Sequence, residues 1–467
     1  MSDYQSQRGN WRGRGNFRGR YRGRGGSFPP WKGRPQEQPR PPSPPVGSIL
    51  STILERDLDS KHDEQVPPTI TNCEYIASYN WVKKEGESPA IMIPGAPPAW
   101  TPLAEPKQLS EDAGQYFRDL NSARYPKHPT ESSVRAVFAM NPEFAADKID
   151  IFACGSTMGN LLRFVRKFDR PFRFLVEVVG DTVFFVRHEN SPTETLQGVY
   201  GYGHTFPEAY TTWEGQTKDS ESHQRIVQYD FSGLNCVVRY ESDGYLKKLD
   251  QHGDEVAEEY PCLNLDTSTD LNVMTGGRKI AQGAVFDLKT RSAKKMNQGV
   301  LGEEIQRLWI SQSRNFVLAF HEWGVFREIR IQDVRNDIES FEKQHEQELA
   351  QLAALLRKIS ILAKARPDRK LEIRRKELDV LRVREQASGV SAVLPDELKQ
   401  WWTEGKTVEK SRSTPSEPSE DGEISDEWYF SPQHSPVGGV HVSDSDGEDL
   451  DYTVCSESCG YCGRCRH

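Results

Sequence analysis

Between Ile70 and Val334 the chain keeps returning to short runs rich in Val, Ile, Phe and Tyr, separated by segments with helical spacing. Such runs, bounded by turn residues, are what strands buried on one or both faces require. They fall at Glu74–Val82, Ile149–Ala153, Arg173–Val179, Thr182–Arg187, Gln224–Phe231, Leu234–Tyr240, Gly283–Lys289, Asn315–Glu322 and Gly324–Ile331. Gly180-Asp181 and Trp323-Gly324 fit hairpin turns. Helices are expected at Asp112–Asn121, Thr157–Phe168 and Glu303–Ser313. The combination predicts an α/β (α+β) domain over residues 70–334, a mixed central β-sheet flanked by helices. Only 36% of the 467 residues are hydrophobic, which leaves material for one sizeable core.

The flanks differ sharply in charge. Residues 1–40 hold nine Arg and one Lys against Asp3 and Glu37, whereas the chain as a whole has a net charge of −9. Residues 1–47, an Arg/Gly-rich arm followed by a Pro-rich stretch, are expected to be disordered because they cannot bury enough apolar surface to offset chain entropy. A short helix is expected near 48–66, where Ile49, Leu50, Ile53 and Leu54 recur. The spacing of Ile338, Phe341, Leu349, Leu352, Leu355, Leu356, Ile359 and Leu362 predicts one long helix over Asp333–Ala365. Pro367 breaks it and Lys370–Gln386 resumes it, so 335–386 reads as a long helix or coiled coil. That element would either recruit a protein partner or lie back on the domain. Residues 407–467 read as an acidic disordered tail.

No run of 18 apolar residues is present, so no membrane partner is expected. The N-terminus lacks the apolar stretch of a secretory signal. An intracellular location follows, with Cys73, Cys154, Cys236 and Cys262 as reduced thiols. Cys455, Cys459, Cys462 and Cys465 are spaced closely enough to hold Zn²⁺, although the span is short for a finger.

Two patterns carry chemistry. In the arm, Arg8, Arg12, Arg14, Arg18, Arg20, Arg22 and Arg24 alternate with Gly, and Trp11, Phe17 and Tyr21 are interleaved. Guanidinium groups neutralise phosphates and aromatic rings stack on unpaired bases, so RNA is the expected partner. In the domain, Glu241-Ser-Asp243 closes one strand and Asp287-Leu-Lys289 ends another. Residues two apart on a strand share a face. Three carboxylates suit a hard cation such as Mg²⁺ or Mn²⁺, and a lysine beside them can orient a metal-bound water.

With these motifs the order of segments resembles the eukaryotic decapping nucleases, the family of the decapping exoribonuclease and the nuclear exoribonuclease partner, which has a PD-(D/E)xK-type fold. Phe152–Leu162 resembles the family's strand entering a helix, and Tyr200–Phe206 its Gly-Tyr segment. Glu241-Ser-Asp243 resembles its E-x-D motif, Asp287-Leu-Lys289-Thr290 its E-L-K-T motif, and Trp309–Ser313 its Trp-Gln-Ser helix. The resemblance implies metal held by Glu241, Asp243, Asp287 and Glu208, and catalytic roles for Lys289 and Gln312. It also implies action on RNA 5′ ends and a nuclear or nucleocytoplasmic location. The sequence departs from the family at Ser156, where an arginine is expected, at Pro207, where a glutamate is expected, and at Asp287, which is one methylene shorter. Two functions therefore stand open: a divergent RNA 5′-end decapping or pyrophosphohydrolase-type nuclease, and a catalytically inactive RNA-binding scaffold.

Overall fold

The structure, a computed structural model, describes residues 41–58, 66–83, 88–196, 199–250 and 270–405. The strands in chain order are β1 (Ile49–Leu54), β2 (Ile70–Val82), β3 (Ala90–Gly95), β4 (Ala99–Trp100), β5 (Ile151–Cys154), β6 (Phe172–Val179), β7 (Thr182–Arg187), β8 (Thr211–Thr212), β9 (Ser220–Phe231), β10 (Leu234–Glu241), β11 (Gly244–Tyr245), β12 (Asn272–Gly277), β13 (Val285–Ser292), β14 (Asn315–Glu322), β15 (Val325–Asp333), β16 (Lys370–Glu377) and β17 (Val380–Arg384). The α-helices are α1 (Leu120–Arg124), α2 (Glu131–Met140), α3 (Gly155–Val165), α4 (Thr205–Tyr210), α5 (Val300–Ser311), α6 (Arg335–Gln344), α7 (Glu346–Lys364) and α8 (Asp396–Glu404).

Two mixed sheets carry the fold. The larger has the order β1-β17-β16-β6-β7-β5-β10-β9-β2-β3-β12, and the smaller β15-β14-β13-β11-β4-β8. The α/β (α+β) class expected from the sequence is what the chain adopts. In β7, Val183 and Phe185 face one core and Phe184 and Val186 face another. The same division holds in β10, where Val238 enters the first core and Val237 the second. A strand buried on both faces has no polar side to alternate with, which is why these segments read as continuous apolar runs. Helices α3, α5, α6 and α7 cover the first face, with Leu161, Leu308, Phe341 and Leu356 among the buried residues. Helices α2 and α8 cover the second. There Trp402 sets its ring edge-on against Phe138, Phe152 and Phe184 and donates its indole N–H to Thr182 Oγ1 at 2.8 Å.

Several expectations are corrected. Ile49–Leu54 is a strand, because pairing with β17 outweighs its helical spacing. Asp112–Asn121 is irregular until α1, whose N-cap Asp119 accepts from the Asn121 amide at 3.0 Å. The long helix is two helices that meet at His345 (φ −118°), and the apolar stripe of α7 is spent inside the fold against α3 and β6. Lys370–Arg384 is not a helix but the hairpin β16–β17, and Ile373 of β16 lies opposite Phe174 of β6. Both expected tight turns are present, with φ +59° at Gly180 and +84° at Gly324. Among the described residues no helix is long and apolar enough to cross a membrane. Residues Arg8 to Arg24 of the arm, its aromatic residues, and Cys455, Cys459, Cys462 and Cys465 lie outside the described residues.

Candidate active site

The E-x-D motif sits where the chain passes from one sheet to the other. Strand β10 runs parallel to β5, with Arg239 opposite Cys154, and ends at Glu241. Ser242 and Asp243 bridge to β11, where Gly244 lies opposite Phe286 of β13. Glycine is required at that step. A Cβ on Gly244 would stand 2.4 Å from the Phe286 ring and 2.8 Å from the Pro98 carbonyl. The close approach brings Asp243 against β13, and its Oδ2 accepts the Leu288 amide at 2.6 Å.

Strand β13 is buried along its whole length. Its period of two sends Phe286 and Leu288 into an apolar cluster with Val317, Phe206 and Phe326. Asp287, Lys289 and Arg291 are therefore left to share the other face. Helix α5 closes over them. Its Ile305, Leu308 and Trp309 anchor in the first core, which places Glu304 and Arg307 against the charged face of β13. Arg307 Nη2 contacts Asp287 Oδ1 and lies 3.3 Å from Glu304 Oε2. Lys289 Nζ is 3.7 Å from Glu304 Oε1, and Arg291 donates to the same oxygen at 3.1 Å.

Asp287, Lys289, Arg291 and Glu304 are each less than one-tenth exposed, so their charges interact strongly. Burial pushes the Asp287 carboxyl up to about 8; Asp243 and Glu304 add to the rise, while Arg307 and Lys289 oppose it. Burial presses on Glu304 in the same direction, but Lys289, Arg307 and Arg291 outweigh it and hold that carboxyl at about 2. The result is an interlocked network of carboxylates and cations, closed by its own side chains.

Of the residues singled out from the sequence, Asp243, Asp287 and Lys289 are brought to this cluster. Glu241 lies buried at the end of β10, and its Oε2 accepts from Gln224 at 3.4 Å. Glu208 is exposed on α4, and the charges that act on Asp287 are those of Arg307, Asp243, Glu304 and Lys289. Gln312 ends α5 in a left-handed conformation (φ +51°) and donates its side-chain amide back to the Trp309 carbonyl at 2.6 Å. That bond closes the helix. The sequence reading missed Glu304, Arg307 and Arg291. His204, His223 and His321 are buried: His204 stacks on Tyr116, and His223 Nδ1 lies 2.6 Å from Asn80 Oδ1.

The donor set does not fit a divalent ion. Among the described residues no three His, Cys, Asp or Glu side chains are placed together to hold one. Asp243 Oδ2 is engaged by a backbone amide, Asp287 Oδ1 by Arg307, and the two Glu304 oxygens by Arg291 and Arg307.

A family model described as a domain of unknown function (DUF8563) matches residues 56–402. The chain belongs to that family. No match was found among curated proteins. Among solved structures, this DUF8563 chain is similar to S. pombe Rai1 at 12% identity and a TM-score of 0.47, covering 72% of this chain and 99% of that one. It is similar to Scheffersomyces stipitis Rai1 in complex with (3′-NADP)⁺ and calcium ion at 11% and 0.49, covering 78% and 100%. It is also similar to Candida albicans Rai1 in complex with pU5-Mn²⁺ at 10% and 0.45, covering 74% and 99%. These are decapping nucleases, the family that the sequence motifs resemble.

Proposed function

We propose that this DUF8563 protein binds RNA and is catalytically silent: it keeps the frame of a metal-dependent nuclease centre but fills the cation's position with arginine. The observation that carries the reading is the Arg307 guanidinium set between Asp287 and Glu304. A divalent ion needs several carboxylate oxygens and an excess of negative charge. Here Asp243, Asp287 and Glu304 are opposed by Lys289, Arg291 and Arg307, so none of that excess remains. RNA binding is supported by the Arg/Gly arm with its interleaved aromatic residues, and a related fold has been seen with pU5 and Mn²⁺. The remaining role is that of a scaffold in RNA processing or decay, with a nuclear or nucleocytoplasmic location.

A second reading is favoured by one specific observation. Asp243, Asp287 and Lys289 do converge, as an E-x-D and D-x-K centre of a 5′-end hydrolase would need. That reading requires Arg307 to leave its carboxylates. The test is incubation of the full chain with 5′-triphosphorylated, 5′-monophosphorylated and unmethylated-capped RNA, with Mn²⁺ or Mg²⁺, beside Asp243→Ala and Lys289→Ala. RNA bound but no product is the result expected. Product that disappears in both variants would overturn the silent reading and establish the hydrolase.

A further inference from the structure

A second charged centre lies on the large sheet, away from the carboxylate cluster. A cavity of about 230 Å³ opens at the ends of β6, β7 and β16. Arg118, Arg170, Arg173, Arg187, Arg374, Arg375 and Lys376 line it, against the single acid Glu189. So strong an imbalance in a recess focuses positive potential into the space. The cations are held in place. Glu189 accepts from Arg187 at 2.6 Å and from Arg118 at 3.1 Å. Arg173 donates to the Pro44 and Pro45 carbonyls at 3.1 and 2.9 Å and to Glu372 at 2.8 Å. Glu189 therefore orients guanidinium groups without cancelling the charge of the wall.

The wall also carries nitrogens that nothing engages. Arg173 Nε and Arg375 Nη1 are buried and have no hydrogen-bond partner among the described residues. Arg375 itself is 1% exposed. Buried donors without an acceptor are costly and call for an explanation such as an unseen ion or ligand. An anion in the cavity supplies acceptors for such donors and balances the charge at once.

We propose that this cavity is a phosphate-binding site for the backbone of an RNA strand. The inference rests on the RNA-binding reading above. Three features select a polymer over a small anion. The positive surface continues outward, because Arg374 and Lys376 also line an adjoining recess with Arg382 and Arg384. From Arg187 on β7 to Arg382 and Arg384 on β17 is three strand spacings, about 14 Å, a distance that one phosphate cannot span. Finally, Ser43 lines the cavity and stands 19 residues after Arg24, where the Arg/Gly alternation ends. Arm and cavity are thus joined by a short tether, which raises the effective concentration of one for RNA bound by the other.

The experiment is fluorescence anisotropy of a 3′-labelled oligouridine with the full chain, across a salt series. The variants are Arg170→Gln/Arg374→Gln/Lys376→Gln and the single change Lys376→Glu. Lys376 is exposed, so that second variant tests the site without threatening the fold. The triple variant is expected to bind about 10-fold more weakly and to lower the slope of log K against log salt by about 2–3, and the single variant to lower it by about 1. Uridine monophosphate and inorganic phosphate should not displace the oligomer. Variants that bind like the wild type would overturn the cavity's role while leaving RNA binding intact. A wild-type chain that fails to bind would instead sink the RNA reading itself. Displacement by the mononucleotide at matching concentration would make the cavity a small-nucleotide site and also overturn the proposal.

Discussion

Replacing Arg307 by Met removes the guanidinium between Asp287 and Glu304 at nearly constant volume. Removing one partner of a buried ion pair costs about 3–5 kcal/mol, because the other charge stays behind. Two features pull the cost toward the low end. Asp287, held up to about 8 by burial, can take a proton at neutral pH, and Glu304 keeps Lys289 and Arg291. A loss of about 2–3 kcal/mol, in a folded unit of roughly 350 residues, lowers Tm by about 3–4 °C. The deficit should grow with pH. A carboxyl whose folded pKa is raised contributes its stability below the unfolded value and loses it as pH rises through the folded value. Without Arg307 that folded value climbs further, so the gap between variant and wild type widens between about pH 7 and pH 9. The vacated position should also admit a cation. Mn²⁺ at about 100 times its Kd would return about 2.7 kcal/mol to the variant and leave the wild type unmoved. Differential scanning calorimetry at two pH values, with and without Mn²⁺, reads all three effects. Equal melting of variant and wild type, or equal stabilisation of both by Mn²⁺, would refute the claim that arginine holds the cation's place.

Further predictions concern the frame around the cluster. Trp402→Ala should cost about 3–5 kcal/mol in urea unfolding, since a fully buried ring and its hydrogen bond to Thr182 are lost together. Gly244→Ala forces a Cβ into the Phe286 ring, costs about 1–3 kcal/mol, and should speed hydrogen exchange at the Leu288 amide that Asp243 accepts. Burial holds His321 down at about 4. A depressed histidine gives full stability above its ordinary 6.5 and loses it as pH falls toward the folded value. About 3 kcal/mol should therefore disappear by pH 4, and His321→Gln should remove that portion of the pH dependence in denaturant titrations.

What the sequence revealed follows from how each element is stabilised. Strands β7 and β14, buried on both faces, announce themselves through Val and Phe, and the expected bounds coincide with those observed. Strand β16, Lys370–Glu377, is mostly charged, and only Leu371 and Ile373 betray the period of two. Its pairing with β6 decides its state, and no local pattern records that partner. Strand β1 fails for a similar reason: apolar residues at 49, 50, 53 and 54 suit a helix until β17 is supplied. At the site, the E-x-D and D-x-K pairs were legible because each is local. Glu304 and Arg307 were not, because only tertiary packing of α5 sets them over β13. One signal was there: Glu304 stands four residues before Leu308, on the helix stripe that is otherwise apolar.

Strand β1 has a consequence for biosynthesis. Its partner, β17, is added about 330 residues later, which at 5–20 residues per second leaves β1 without that neighbour for roughly 15–65 s. Arg173 likewise stands in the nascent chain for about 200 residues, roughly 10–40 s, before Arg374 and Arg375 join it at the cationic cavity. The emerging polypeptide thus carries its Arg/Gly arm long before it owns a recess in the fold to receive a phosphate. If the cavity binds RNA as proposed, engagement by arm and cavity together is reserved for chains whose translation has passed β16, so sheet closure sets the time of that first encounter.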